Sequence, residues 1–431
     1  MLAEEIIIRL PRFHEIPTLD RIKSALSYID ADTLPFSWVQ VAGSKGKGSV
    51  TTMLDAVYRQ SGYKTGLFVS PHIHSVRERI TIQNQPIESM LFNELYEKIQ
   101  QILPPHLFEE LTFFETMTLL AVMAFQKNNI DIAFIETGLG GRLDATTAIP
   151  DPSLSIITLI ELEHTLKLGT SVEQIAREKA GIIRSHTPVL MAKQSLEAAL
   201  VIQEYASRKS VKLYSMDQHS YVQRSSNFSQ PFETFTLNSG ITGNTYKDIH
   251  CKPLGIHQVN NASVAIIASE LLTKSGFIVT EENFRDSLST ISIPCRFEIF
   301  RKDNATWILD GAHTFHSCEF VAKTIKERYP NQKVPIIFGC KHNKNAQSLI
   351  KPLLEIASSF VFTDIPEIHS APLESLCEIV ESFHFSGPVH CYYSSESTSF
   401  LDSIQSNHQP VLITGSLILA SFFRALLLNV T

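Results

Sequence analysis

Val41-Ala42-Gly43-Ser44-Lys45-Gly46-Lys47-Gly48-Ser49 joins two different hydrophobic patterns. Before it, Phe36-Ser37-Trp38-Val39-Gln40-Val41-Ala42 is a short apolar run that predicts a buried strand. After it, Val50, Met53, Leu54 and Val57 recur at helical spacing. Strand, glycine-rich loop and helix, in that order, is the arrangement that holds a phosphate chain. Glycines let backbone N–H groups approach phosphate oxygens with no side chain in the way, and the helix adds its positive end. On this reading Lys45, Gly46, Lys47, Gly48 and Ser49 bind phosphate. Lys47 reaches the β- and γ-phosphates, and Ser49 supports the phosphates or a metal. Gly48 stands between Lys47 and Ser49, a departure from the common G-x-x-x-x-G-K-[ST] spacing.

Working outward, the same alternation continues. A helix capped by Thr18 carries Ile22, Leu26 and Ile29. Strands are predicted at 65–69, ending at Ser70-Pro71-His72, and at 130–135, ending at Glu136. Another is predicted at 154–160, ending near His164. Helices are predicted over 114–127 and 171–183. Continuous apolar strands alternating with helices indicate a parallel sheet, whose ligands gather at the carboxyl ends of the strands. All four special loops follow strands, so one crevice can collect them. Residues 214–250 alternate as Phe232-Glu233-Thr234-Phe235-Thr236-Leu237 does, which predicts a small antiparallel β insert with an exposed aromatic surface. A helix returns at 257–273. A second α/β unit begins near 293, with strands at 305–309, 334–339, 359–363, 388–393 and 410–414. Its helices are predicted at 316–329, 345–357, 373–383 and 397–405. The expected fold is α/β: an N-terminal P-loop ATPase domain over 1–292 with a mainly parallel sheet, then a Rossmann-like domain over 293–431.

Composition narrows the function classes. A chain of 431 residues suits two or three domains, and 44% hydrophobic with 19% charged residues excludes gross disorder. Lys plus Arg is 37 and Asp plus Glu is 44, a net charge of −7. That lacks the basic excess of a protein that wraps nucleic acid or coats a membrane, so neither is an expected partner. It leaves room for one small cationic pocket. Six cysteines without a C-x-x-C pair predict reduced, mostly buried thiols in a cytoplasmic protein, with no disulfide framework or zinc site. The N-terminal residues do not form a signal peptide. The longest apolar stretch, 417–428, contains Ser421 and Arg424 and falls short of the ~20 residues of a spanning helix, so it predicts a terminal helix packed on a core.

Several residues could carry chemistry. Glu136 ends an apolar strand, where a carboxylate is costly unless paired or metal-bound, and its oxygens suit Mg²⁺. His164 follows the next strand. Lys179, in Arg177-Glu178-Lys179-Ala180-Gly181, reads by itself as a solvated helix lysine. His72 and His74 lack an acidic or Cys partner at zinc-ligand spacing.

Taken in order, the motifs resemble the Mur-ligase superfamily and, within it, folylpolyglutamate synthase/dihydrofolate synthase. The set comprises 41–49, Gly66 to His72, Arg77-Glu78-Arg79-Ile80, Phe113-Phe114-Glu115 and Glu136 to Thr146. It continues with Glu178 to Ile182, His257-Gln258-x-x-Asn261-Ala262 and Asp310-Gly311-Ala312-His313. The resemblance implies an ATP-dependent amide ligase. ATP phosphorylates a carboxylate and the α-amine of L-glutamate attacks the acyl phosphate, with dihydropteroate or a folate such as tetrahydrofolate as acceptor. It implies a monomer with two Mg²⁺ ions, one held by Ser70 and Glu136, the other by His164. Lys179 matches a lysine that the family carbamylates, which would let it assist metal binding. Asn261, Arg296 and Asp310 match nucleotide contacts, and His313 falls near the glutamate. Thr112, Leu143, Asp144 and Ala145 match pterin contacts, with a looser match at 14–17. The resemblance leaves open a monofunctional version and another Mur-type ligase acting on a different acid. A degenerate nucleotide-binding protein is the non-enzyme alternative.

The chain departs from the family pattern at a few positions. Glu163 stands where Asp is usual, which moves the carboxylate by a methylene. Cys295 replaces the glycine before Arg296, so that loop's backbone is expected to differ. Thr314-Phe315 replaces Asn-Pro, and Asn343 and Asn345 replace two aspartates.

Overall fold

The strand before the phosphate loop, β1 (Ser37–Ala42), is buried along nearly its whole length. A strand covered on both faces must be apolar throughout, and that is why residues 36–42 read as a run rather than an alternation. The computed structural model describes residues 3–14, 17–225, 227–302, 305–366, 368–396, 401 and 410–428. The chain divides into two units. One comprises Met1–Arg224, Phe235–His250 and Asn260–Ile291; the other comprises Ser225–Thr234, Cys251–Val259 and Ser292–Thr431.

The first unit is built on an eight-stranded sheet. Its remaining strands are β2 (Thr65–Phe68), β3 (Ile80–Ile82), β4 (Gln85–Pro86), β5 (Ile132–Glu136), β6 (Leu154–Ile157), β7 (Val189–Met191) and β8 (Leu213–Ser215). The order is β4-β3-β2-β5-β1-β6-β7-β8, parallel from β2 to β8 with an antiparallel hairpin at the β4 end. Four neighbouring strands, β2, β5, β1 and β6, therefore deliver the loops at Ser70, Glu136, Gly43 and 158–164 to one edge. Val41 pairs with Glu136 on one side and with Ile156 on the other. The helix Lys47–Gln60 buries Val50, Met53, Leu54, Val57 and Tyr58. The helix Phe113–Lys127 is buried on nearly every face, and its start is fixed by a capping box between Thr112 and Glu115.

Several local expectations change. A helix, Ala3–Ile8, precedes the one predicted first. The next helix, Asp20–Ser27, has Leu19 at its N-cap, and Thr18 instead accepts a hydrogen bond from the Asp20 amide at 3.1 Å. The hairpin β3–β4 and the helices Ser89–Ile102 and Leu196–Arg208 were not predicted. The insert starts later than residue 214. Tyr214 is buried in β8 and pairs in parallel with Leu190, so it completes the main sheet. The insert proper is three-stranded: β9 (Ser220–Arg224), β10 (Glu233–Ser239) and β11 (Thr245–Cys251), with β10 central.

The second unit has a six-stranded sheet, β12 (Glu298–Lys302), β13 (Ala305–Leu309), β14 (Val334–Phe338), β15 (Ala357–Thr363), β16 (Val389–Tyr392) and β17 (Pro410–Thr414). Its order is β12-β13-β17-β14-β15-β16, with only β12 antiparallel to its neighbour. The helix predicted over 345–357 is short, Ala346–Ile350, followed by a 3₁₀ turn, Lys351–Leu353. Pro352 cannot donate to a helix ladder, and Ala357 already belongs to β15. The helix predicted at 397–405 falls on residues that, Leu401 apart, lie outside the described ones. The terminal helix Leu417–Leu428 buries Leu419, Ala420, Phe423 and Leu427. Among the described residues no helix is long and apolar enough to cross a membrane.

Candidate active site

The loop after β1 is held in place before any ligand is considered. Ser44 and Lys45 donate their amides to the Leu159 carbonyl at 2.8 and 3.0 Å, and Ser44 Oγ donates to Glu161 O at 2.9 Å. Gly46 caps the helix Lys47–Gln60 with φ 87°, and no side chain caps its first amides. Uncapped amides at a helix start are donors in want of an anion. A Cβ at Gly46 would collide with Asn261 Oδ1, so Asn261 packs directly on the loop. Gly48, the residue that breaks the common spacing, has its own reason: a Cβ there would stand 3.3 Å from Glu136 Oε2.

Three lysines and two glutamates meet around this loop. Lys47 Nζ donates to Gly43 O at 3.0 Å and lies 3.9 Å from Glu136 Oε1. Lys179, which is 1% exposed, donates to the same Gly43 carbonyl at 2.7 Å and to Glu163 Oε1 at 3.2 Å. Lys45 lies 3.7 Å from Glu163 Oε2. Lys179 is therefore not the solvated helix lysine its sequence context suggested. Burial, then the charge of Lys47, bring its pKa down to about 8 against the pull of Glu163. Burial pushes Glu163 up, but Lys47, Lys179, Lys45 and His164 together hold it below the usual carboxylate range. Three cations against two anions leave a local excess of positive charge inside a chain of net charge −7.

Glu136 ends β5 and its Oε2 accepts the Ser70 amide at 2.9 Å, which ties the β2 loop to the β5 loop. His164 has φ 48° and heads the short helix Thr165–Leu168. Ser70 and Glu136 are oxygen donors at one sheet edge, which suits Mg²⁺, and the buried Glu136 carboxylate is the sort of group that a cation would compensate. His164 follows β6, on the far side of β1 from β5. Among the described residues no group of three or more His, Cys, Asp or Glu side chains is close enough to hold a metal ion by itself.

Other expected positions act on their own loops. Asp144 Oδ2 accepts the amides of Gly138 and Leu139, both at 2.9 Å, and its Oδ1 accepts Thr146 N and Thr146 Oγ1. It shapes the turn that presents Leu143 and Ala145. Thr112 caps its helix, and its partner Glu115 receives Arg21 Nε at 3.2 and 3.1 Å.

A cationic cluster escaped the sequence reading. The guanidinium groups of Arg12 and Arg79 lie 3.9 and 4.9 Å from the centre of the Phe113 ring. Arg79 Nε donates to His72 Nδ1 at 2.9 Å. Burial and then Arg79 bring the His72 pKa down to about 4, which keeps the ring neutral as an acceptor. Arg79 sits in the motif Arg77-Glu78-Arg79-Ile80, but nothing in the spacing tells that it turns inward. Of the loosely matched stretch 14–17, residues 15 and 16 lie outside the described residues.

In the second unit, Asp310 follows β13 and accepts the amides of Phe297 and Ala312, each at 2.8 Å. Arg296 lies between two residues with left-handed backbone, Cys295 (φ 55°) and Phe297 (φ 49°). Cys295 thus adopts the conformation that glycine favours, and its loop is held by Cys295 N to Glu298 Oε2 and Gly311 N to Cys295 O. His313 Nδ1 lies 2.8 Å from Gly311 O. Thr314 caps the helix Phe315–Arg328, and Asn345 caps Ala346–Ile350, so each of these departures keeps a side chain fit to cap a helix.

Comparisons with known proteins identify the family. The Mur ligase middle domain matches residues 41–269, and the Mur ligase glutamate ligase domain matches residues 295–417. The chain is similar to the dihydrofolate synthase/folylpolyglutamate synthase of Bacillus subtilis, at 30% identity over 424 residues that cover 96% of this chain and 95% of the relative. The folylpolyglutamate synthase of Thermotoga maritima superposes with a TM-score of 0.86 at 28% identity, covering 99% and 96% of the two chains. That of Mycobacterium tuberculosis, complexed with ADP, gives 0.88 at 25% identity, covering 99% and 97%.

Proposed function

This chain belongs to the Mur ligase family, in the branch of folylpolyglutamate and dihydrofolate synthases, and is an ATP-dependent ligase that joins glutamate through an amide; we propose that it serves two acceptors, dihydropteroate and the γ-carboxyl of folates. The observation that carries this reading to the residues is the convergence of Lys45 and Lys47 on the glycine-rich loop, with Lys179 buried behind it. The reaction must bring ATP and a carboxylate, two anions, into line. Lys47 neutralises the γ-phosphate as it passes to the acceptor carboxylate, and the amides of Gly46 to Ser49 hold the phosphates. The acyl phosphate is then attacked by the α-amine of glutamate, and the tetrahedral intermediate collapses to amide and phosphate. Mg²⁺, when bound, would supply further charge neutralisation, with Ser70 and Glu136 holding one ion and His164 a second. A Lys179 pKa of about 8 leaves a usable fraction of neutral amine near pH 7, which is what carbamylation requires. Asn261, Arg296 and Asp310 are assigned to the nucleotide, His313 to glutamate, and Thr112 with Leu143, Asp144 and Ala145 to the pterin. For Thr112 and Asp144, whose side chains cap and fold their own loops, that role is positioning.

Phosphate release from Mg-ATP and glutamate, measured with dihydropteroate or tetrahydrofolate as acceptor, tests the reading. Release with both is expected. Release with one alone would reduce the assignment to a monofunctional enzyme, and release with neither would overturn the folate acceptors.

A further inference from the structure

Two thiols meet on the second unit's sheet edge. Cys377 lies in the helix Leu373–Ser382 and Cys391 in β16, the strand that ends the six-stranded order. Their Sγ atoms are 2.9 Å apart although 14 positions separate them in sequence. A bonded pair would sit at about 2.05 Å, so closing the gap requires a shift of less than about 1 Å. The two sulfurs also differ in access. Cys391 is exposed and Cys377 half-buried, whereas Cys251, Cys295, Cys318 and Cys340 are all buried.

We propose that Cys391 and Cys377 form a reversible dithiol–disulfide modification site that reacts with low-molecular-weight disulfides of the glutathione class. The Cys391 thiolate attacks one sulfur of the small disulfide, forms a mixed disulfide and releases one small thiolate, which takes up a proton. Cys377 then loses its proton to solvent and attacks the Cys391 sulfur, forming the internal bond and expelling the second small thiolate. The protein loses two hydrogens and two electrons, and one small disulfide becomes two small thiols. Order follows from access and charge. Burial, then the neighbouring Cys391 thiol, Glu381 and Glu374 push the Cys377 thiol up to about 12, so it is the poor first nucleophile and the resolving partner. The bond straps the edge strand, which among the described residues pairs with β15 alone, to the helix beside it.

Oxidised glutathione added to the full-length protein, followed by alkylation of remaining thiols and non-reducing peptide mapping, tests this. The expected product is one cross-link between the peptides carrying Cys377 and Cys391, reversed by dithiothreitol, with the other four cysteines alkylated only after unfolding. The C377S variant is expected to stop at a glutathione adduct on Cys391. C391S is expected to leave Cys377 unmodified, with an unchanged circular dichroism spectrum reporting a folded chain in both. A stable glutathione adduct on Cys391 in the unsubstituted protein, a cross-link to any other cysteine, or no reaction would each overturn the proposal.

Discussion

The carboxylate of Glu163 lies 3.2 Å from the buried ammonium of Lys179. Its other oxygen lies 3.7 Å from Lys45 on the phosphate loop, so one side chain spans the loop and the lysine behind it. Removing one partner of a buried ion pair typically costs about 3–5 kcal/mol because the other charge is stranded. Lys179 retains the Gly43 carbonyl and its pKa is already low, so it can shed its proton and the cost falls toward the lower end. Glu163→Gln is expected to lower the melting temperature and reduce kcat by at least about tenfold. Glu163→Asp keeps the charge but not the reach to both lysines, and is expected to recover most of the stability. Kinetics and thermal melts of the two variants check this; a Gln variant as stable and active as the parent would show the pair to be inert.

Lys47→Ala removes the cation proposed to neutralise the transferred phosphate. Loss of one such donor costs about 10²–10³ in kcat. The melting temperature is expected to change little, because Glu136 keeps its bond from the Ser70 amide. Lys47→Arg retains the charge with a different shape and is expected to stay well below the parent. Near-normal turnover in the alanine variant would refute the phosphate-loop role.

Sequence carried some of this site and not the rest, for physical reasons. Glu136 was legible because a charge at the end of an apolar strand needs compensation. The strand–loop–helix frame around Gly43 to Ser49 was legible because glycines, strand and helix are contiguous. The Lys45–Glu163–Lys179 cluster was not, since its members come from three loops and elements and only folding brings them together. Arg12 and Arg79 were missed because one lies in an irregular segment and the other in a 3₁₀ turn, where no periodicity marks the inward face. Cys295 stands in left-handed backbone within a loop held by hydrogen bonds from Cys295, Phe297 and Gly311, a conformation that its side-chain type does not announce. Of the eight strands the central four, β2, β5, β1 and β6, were legible as apolar runs, whereas short strands such as β3 and β4 bury too few residues to leave a pattern.

Gly46 and Gly62 offer a matched comparison. Both have φ 87°, but Gly62 has open space where a Cβ would go and Gly46 has Asn261. Alanine at either position carries the left-handed penalty of about 1–2 kcal/mol. Gly46→Ala is expected to lose nucleotide binding as well, measured by calorimetric titration with ADP, while Gly62→Ala binds normally. Equal binding by both variants would show that the close approach at Gly46 has no role in holding the nucleotide.

Asp310 gives stability a pH dependence with a definite sign. Burial raises its pKa from 3.8 to about 6, against the opposing pull of Arg296 and the amides of Phe297 and Ala312. The folded state therefore holds the proton more tightly than the unfolded chain. The contribution is full below about pH 4 and is lost as pH rises through 6. A shift of about two units is on the order of 3 kcal/mol. Asp310→Asn does not titrate, and its single oxygen cannot accept both amides, so it is expected to be less stable throughout. The stability gap between parent and variant should be widest near pH 4 and narrow toward pH 7, when followed by denaturant titration across that range. Other carboxylates titrate in both proteins and cancel in the difference, so a gap that widens as pH rises would mean that Asp310 is stabilised as an anion.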